Sequence, residues 1–189
     1  MQIKLTNTGK RFNREWIFRG VDYVFTAPKK YAITGSNGSG KSTLLQVISG
    51  SLTHSEGAIE FLQDNNTIPA EQHFKQVSIA APYLELIEEM TANEMLDFHT
   101  QFKPLSISKK EALSIVNLSN AANKQIRYYS SGMKQRLKMA QAFFSNTPVL
   151  LLDEPTTNLD AEGIALYQQL IQDHTASKLV IISSNDKNE

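Results

Sequence analysis

The sequence has no cysteine. That absence removes disulfides, thiol nucleophiles and thiolate metal sites, and it agrees with a cytoplasmic location. An excess of either charge is also missing. Nineteen basic residues balance 19 acidic ones, so no global field draws the chain to nucleic acid or anionic lipid, and no nucleic-acid partner is expected. Long hydrophobic runs are missing too. Val149-Leu150-Leu151-Leu152 and Leu179-Val180-Ile181-Ile182 are the longest, far short of the roughly 20 residues that span a bilayer. The chain itself is therefore not expected to cross one. Residues 1–7 alternate apolar and polar like a strand, without the apolar centre of a signal peptide. The four histidines, His54, His73, His99 and His174, are scattered without metal-ligand spacing. What is present, 189 residues of which 41% are apolar, suffices for one compact domain over 1–189.

Periodicity places short strands at Trp16-Ile17-Phe18, at residues 21–25 and at residues 31–34, the first thirty residues reading as an antiparallel β layer. Further strands are expected at 58–62, 77–81, 149–152 and 178–183. Helices are expected from near Lys41 to Gly50, over 131–145 and over 161–174. Strands alternating with helices mean a largely parallel sheet. Between about 82 and 145 the β signals give way to hydroxyl caps followed by glutamate, Thr91 with Glu94 and Ser108 with Glu111, with Pro104 separating the helices they open. This stretch reads as a helical subdomain inserted into an α/β core.

The strongest chemical signal is Gly35-Ser36-Asn37-Gly38-Ser39-Gly40-Lys41-Ser42, followed by Thr43. It fills every fixed position of the phosphate-binding loop GxxxxGK(S/T), between a strand and a helix. The glycines let backbone N–H groups curl around a β-phosphate, Lys41 reaches the β- and γ-phosphates, and the Ser42 hydroxyl ligates Mg²⁺. ATP and Mg²⁺ are the expected ligands. A second signal is Val149-Leu150-Leu151-Leu152-Asp153-Glu154, four apolar residues delivering two carboxylates to a strand end. Alternation along the strand lets Asp153 face the metal through water while Glu154 polarises an attacking water. Alone, such a pair is as often a solvated turn; behind a phosphate loop it reads as a site.

Tyr129-Ser130-Ser131-Gly132-Met133-Lys134-Gln135-Arg136 resembles the signature motif of ATP-binding-cassette (ABC) ATPases, nucleotide-binding subunits of transporters. Ser130 and Gly132 fill the family's serine and second glycine, while Ser131 and Met133 depart from its usual glycine and glutamine. The resemblance, which runs from Phe12 to Asp186, implies the P-loop NTPase fold and a head-to-tail homodimer or heterodimer. Each ATP would then lie between one subunit's phosphate loop and its partner's Ser130 and Gly132. It further implies that Phe12 stacks on adenine, although Phe12 could instead fill core, and that Asp160 in Thr157-Asn158-Leu159-Asp160 crosses the dimer interface, a role compatible with capping a helix. An integral membrane permease subunit is implied as partner, docking on the helical subdomain and Pro82-Tyr83-Leu84-Glu85. The chain would then lie peripherally at the inner face of the cell membrane.

Two positions depart from the family in ways that bear on catalysis. Pro82-Tyr83-Leu84-Glu85 stands where the family has a glutamine near the metal, leaving open whether Glu85 substitutes. Asn185 stands where the family has a histidine; it hydrogen-bonds but carries no proton charge, so slow hydrolysis is expected, with Glu154, Lys41 and Asn185 as the catalytic set. The sequence also stops soon after Asn185, where the family usually continues with β structure, reading as a short member or an expressed fragment. Three functions follow: an ATPase driving transport, with Ser-Ser-Gly-Met-Lys-Gln-Arg-Leu closer in style to single-cassette exporter subunits than importer ones; a non-hydrolysing regulatory ATP-binding module; or a soluble family member unconnected with transport, disfavoured by the single phosphate loop and the lack of sustained heptads.

Overall fold

The computed structural model describes residues 1–185; Asp186, where the resemblance ends, lies outside them. The chain gathers into two compact units, one of residues 1–79, 148–153 and 177 onward, the other of residues 80–147 and 154–176.

The first unit holds two four-stranded sheets. β1 (Gln2–Phe12), β2 (Glu15–Thr26), β4 (Glu56–Gln63) and β5 (Asn66–Ile68) form an antiparallel sheet in the order β2-β1-β4-β5. The other sheet runs β3-β8-β7-β6, from β3 (Lys30–Thr34), β6 (Val77–Ala80), β7 (Val149–Asp153) and β8 (Leu179–Ser184), with β8 parallel to both β3 and β7. Helices α1 (Lys41–Ser49) and α2 (His73–Gln76) complete the unit. The two short strands expected before residue 26 are one continuous strand, β2. Its pairing with β1 shifts register between Thr8 and Lys10, and such bulges break the side-chain alternation without ending the strand.

One core serves both sheets. Ile3 and Leu5 of β1, Phe61 of β4, Leu45 and Ile48 of α1, Leu151 of β7 and Ile181 of β8 are buried together, each contributing about 1.5–3 kcal/mol by leaving water. Every residue of β7 is buried, which explains its unbroken apolar run: with β8 on one side and β6 on the other, it is an interior strand covered on both faces.

The second unit is helical: α3 (Ala92–Thr100), α4 (Lys109–Ile115), α5 (Ser131–Phe144) and α6 (Ala161–Asp173). Thr91 opens α3 with a reciprocal box, its Oγ1 accepting from Glu94 N at 3.2 Å while its own N donates to Glu94 Oε2 at 2.8 Å. Donation into Oε2 from Thr91 N, joined by Thr91 Oγ1 at 2.9 Å, holds the Glu94 carboxyl below its usual range. Ser108 Oγ accepts from Glu111 N at 3.2 Å, the hydroxyl half of the same device. Within α3, His99 Nε2 lies 2.8 Å from Ser145 Oγ. Ser145 commits its own proton to Gln141 O, so His99 is the donor and sits neutral. Burial, aided by the nearby Lys103 charge, lowers its pKa to about 4. An unfolded histidine titrates near 6.5, so between those values the unfolded chain binds a proton that the folded chain does not. Stability is therefore expected to fall as pH is lowered from about 6.5 toward 4. Urea unfolding at several pH values checks this, with His99→Gln expected to flatten that part of the profile.

Candidate functional site

The sheet register decides what meets at the C-terminal edge of the parallel strands. Thr34 pairs with Ser184, and Asp153 with Ser183. The loop leaving β3, the last residue of β7 and Asn185 just beyond β8 therefore share one edge. Such an edge is where open α/β sheets bind ligands.

The loop of residues 35–40 enters α1 through Gly40, whose φ of 93° falls in a region that side chains avoid, and a Cβ there would lie 2.7 Å from Ile17 Cγ2. Glycine is required on both counts. With glycine as N-cap and no acidic residue in the first turn, α1 has no side-chain acceptor at its N-terminus, and its leading N–H groups and positive dipole end suit an anion. Lys41, only 7% exposed, donates from Nζ to Gly35 O at 2.9 Å and Ser36 O at 3.2 Å, and to Asn185 Oδ1. Asn185 Nδ2 in turn donates to Asn37 Oδ1. Thr34, Gly35, Ser36, Asn37 and Asn185 line an open cavity of about 420 Å³. Ser42 and Thr43 sit half-buried in the first turn of α1.

Asp153 is 1% exposed. Ser183 Oγ donates to its Oδ1, while its Oδ2 is buried and has no hydrogen-bond partner among the described residues. An ionised carboxylate with an orphaned, buried oxygen is costly unless a cation or bound water completes it, and a hard carboxylate with the Ser42 hydroxyl is a donor set suited to Mg²⁺. In the same unit Phe12 ends β1 with 47% of its surface exposed, and Lys10 Nζ lies 5.0 Å from its ring centre. Its exposure rules out the core-filling role.

Within the helical unit, Ser130 caps α5, its Oγ accepting from Met133 N at 3.2 Å. Gly132 packs so closely on the loop between β7 and α6 that a Cβ there would lie 3.3 Å from Asn158 O. Asp160 caps α6 by accepting from Gly163 N at 2.8 Å and lies 3.7 Å from Arg136. Glu154, the residue after β7, has φ of 45°, and Asn158 has φ of 65°. Asparagine tolerates that left-handed region, but a glutamate held there is strained, a feature concentrated at functional sites.

This unit also holds two partnerships that no motif announces. Gln135, buried in α5, donates from Nε2 to Pro155 O at 3.0 Å. Lys138, one turn further on, donates to Ala81 O at 3.2 Å and Pro82 O at 3.0 Å. Burial lowers the Lys138 pKa, the Lys134 charge adds to that, and Glu85 opposes it. The segment that lacks the expected glutamine is thus tied to α5 through its backbone.

The family model described as ABC transporter matches residues 18–157. This chain belongs to the ABC transporter family, as a nucleotide-binding domain. YybJ of Bacillus subtilis (strain 168), described as an uncharacterized ABC transporter ATP-binding protein, is 34% identical over 99% of this chain and 87% of its own length. CcmA of Rhizobium etli, described as a cytochrome c biogenesis ATP-binding export protein, is 31% identical over 97% of this chain and 87% of its own. Among solved structures, a dimeric bacterial ABC transporter cassette superposes with a TM-score of 0.83 at 25% identity, covering 98% of this chain and 89% of that one. The ATP-binding subunit of an ABC transporter gives 0.83 at 22% identity over 97% and 79%, a likeness of fold alone. No helix of this ABC domain is, among the described residues, long and apolar enough to cross a membrane.

Proposed function

We propose that this chain is the ATP-hydrolysing subunit of an ABC transporter whose membrane-spanning subunit is a separate permease, and that it acts from the cytoplasmic face as a head-to-tail dimer. The observation that carries the reading is the meeting of the Lys41 loop, the capless N-terminus of α1 and the half-satisfied Asp153 at one sheet edge. The exporter direction rests on the printed function of CcmA, an export protein, and dimerisation on the solved cassette that is itself a dimer.

In this reading the backbone N–H groups of residues 35–43 hold the β-phosphate and Lys41 carries charge from the β- and γ-phosphates. Ser42 and Asp153 would hold Mg²⁺, which when bound neutralises phosphate charge. Glu154 takes a proton from the attacking water, Phe12 stacks on the adenine, and Ser130 and Gly132 of the opposite subunit meet the γ-phosphate, with Asp160 at the same interface. The reaction is phosphoryl transfer to water, for which positioning and charge stabilisation do most of the work.

Asn185 supplies an amide donor where the family has histidine. Losing a preorganised transition-state donor costs about 2.7–4 kcal/mol, and an amide recovers part of that, so turnover is slow but present. Asn185→His is accordingly expected to raise the steady-state rate of phosphate release. A variant no faster than the parent would remove asparagine as the limiting feature. Mg²⁺-dependent phosphate release by the purified chain tests the function as a whole: ATP binding without any turnover would leave a regulatory nucleotide-binding module.

A further inference from the structure

Asn185 has two chemically different ends, and in this structure both are engaged by the phosphate loop. Its Oδ1 accepts from Lys41 Nζ, and its Nδ2 donates to Asn37 Oδ1. Because Thr34 and Ser184 are paired neighbours on parallel strands, the chain leaves both strands side by side, and Asn185 comes out against the loop. The orientation of the amide is fixed by chemistry, since an ammonium can only donate and must therefore face the carbonyl oxygen.

Lys41 Nζ donates to Gly35 O and Ser36 O. Asn185 Oδ1 takes a further proton of the same ammonium, and Asn185 lines the open cavity together with residues 34–37. A phosphate oxygen reaching Lys41 from that cavity wants the same proton. We propose that Asn185 sets nucleotide affinity by competition: its carbonyl oxygen, held in place through Asn37, accepts a proton of the Lys41 ammonium and must be displaced before a phosphate group can take that proton. The proposal rests on the reading of the loop as a nucleotide site and adds to the donor role of the amide a second, opposing one. It concerns every nucleotide whose phosphates reach Lys41, so it lowers affinity for diphosphate and triphosphate alike. A residue that only senses the γ-phosphate affects the triphosphate alone.

Isothermal titration of the whole chain with ADP and with a non-hydrolysable ATP analogue, in Mg²⁺ buffer, tests this. Asn185→Ala removes the competing acceptor at an exposed position and is expected to tighten binding of both nucleotides by about 3–10-fold, the worth of one hydrogen bond. Asn185→Asp places a carboxylate against Lys41 and is expected to weaken both by more than about tenfold, since pairs between ions are roughly twice as strong. Unchanged or weaker binding of ADP by Asn185→Ala would overturn the competition, and a loss confined to the ATP analogue would assign the residue to the γ-phosphate alone. No saturable binding of either nucleotide to the unaltered chain, or equal binding by Lys41→Ala, would instead overturn the nucleotide-site reading on which the proposal rests.

Discussion

Glu154→Gln is expected to bind ATP as well as the parent and to hydrolyse it about 10²–10⁴-fold more slowly, the range a positioned general base contributes. Glu154 follows directly on Asp153, the buried last residue of β7, and its φ of 45° turns the chain out of the strand. A turn follows, closed by Thr157 N donating to Glu154 O at 3.1 Å, and the loop is tethered to α5 through Gln135 and Pro155. Glutamine is nearly isosteric with glutamate and keeps an acceptor, so backbone and packing survive while the basic oxygen pair is lost. With hydrolysis blocked, the variant is expected to accumulate as an ATP-bound dimer, visible as a shift in light-scattering mass on adding Mg²⁺ and ATP. Turnover close to that of the parent would move the general base elsewhere.

Lys41→Ala carries the second large effect, this time on binding. Lys41 is a buried ammonium in the first turn of α1, held by two loop carbonyls and Asn185. Removing one partner of a buried, hydrogen-bonded charge pair costs about 2–5 kcal/mol, which corresponds to a loss of about 30- to several thousand-fold in ATP affinity. The variant also leaves Gly35 O and Ser36 O without that donor, so the loop is expected to loosen and thermal stability to fall by a few degrees. Lys41→Arg is not a conservative rescue, because the planar guanidinium cannot stand upright between two carbonyls as a compact ammonium does. Titration calorimetry measures the affinity loss directly.

The sequence made the phosphate loop and the Asp153 strand legible because each is local: a fixed spacing of residues whose chemistry depends on backbone neighbours. The same holds for the caps at Thr91, Ser108 and Asp160, where the hydroxyl or carboxylate finds its partner three residues on. Phe12 needed the structure, because only the structure shows its ring exposed at the end of β1 and not filling core. The continuity of β2 was hidden by a register shift that broke its alternation. Least legible were the contacts made between distant parts of the chain. Ser183 on Asp153, Asn185 on Asn37 and Lys41, and Gln135 on Pro155 join residues whose adjacency comes from parallel pairing and helix packing. No motif encodes the tie between Lys138 and the carbonyls of Ala81 and Pro82 either.

Hydrolysis of ATP between two copies of this chain is tested by the rate of Mg²⁺-dependent phosphate release as a function of protein concentration. The rate is expected to rise more steeply than linearly at low concentration, to become linear once dimers dominate, and to fall about 10²–10⁴-fold with Glu154→Gln throughout. A rate strictly proportional to concentration from the lowest measurable protein, or one unaffected by Glu154→Gln, would contradict it.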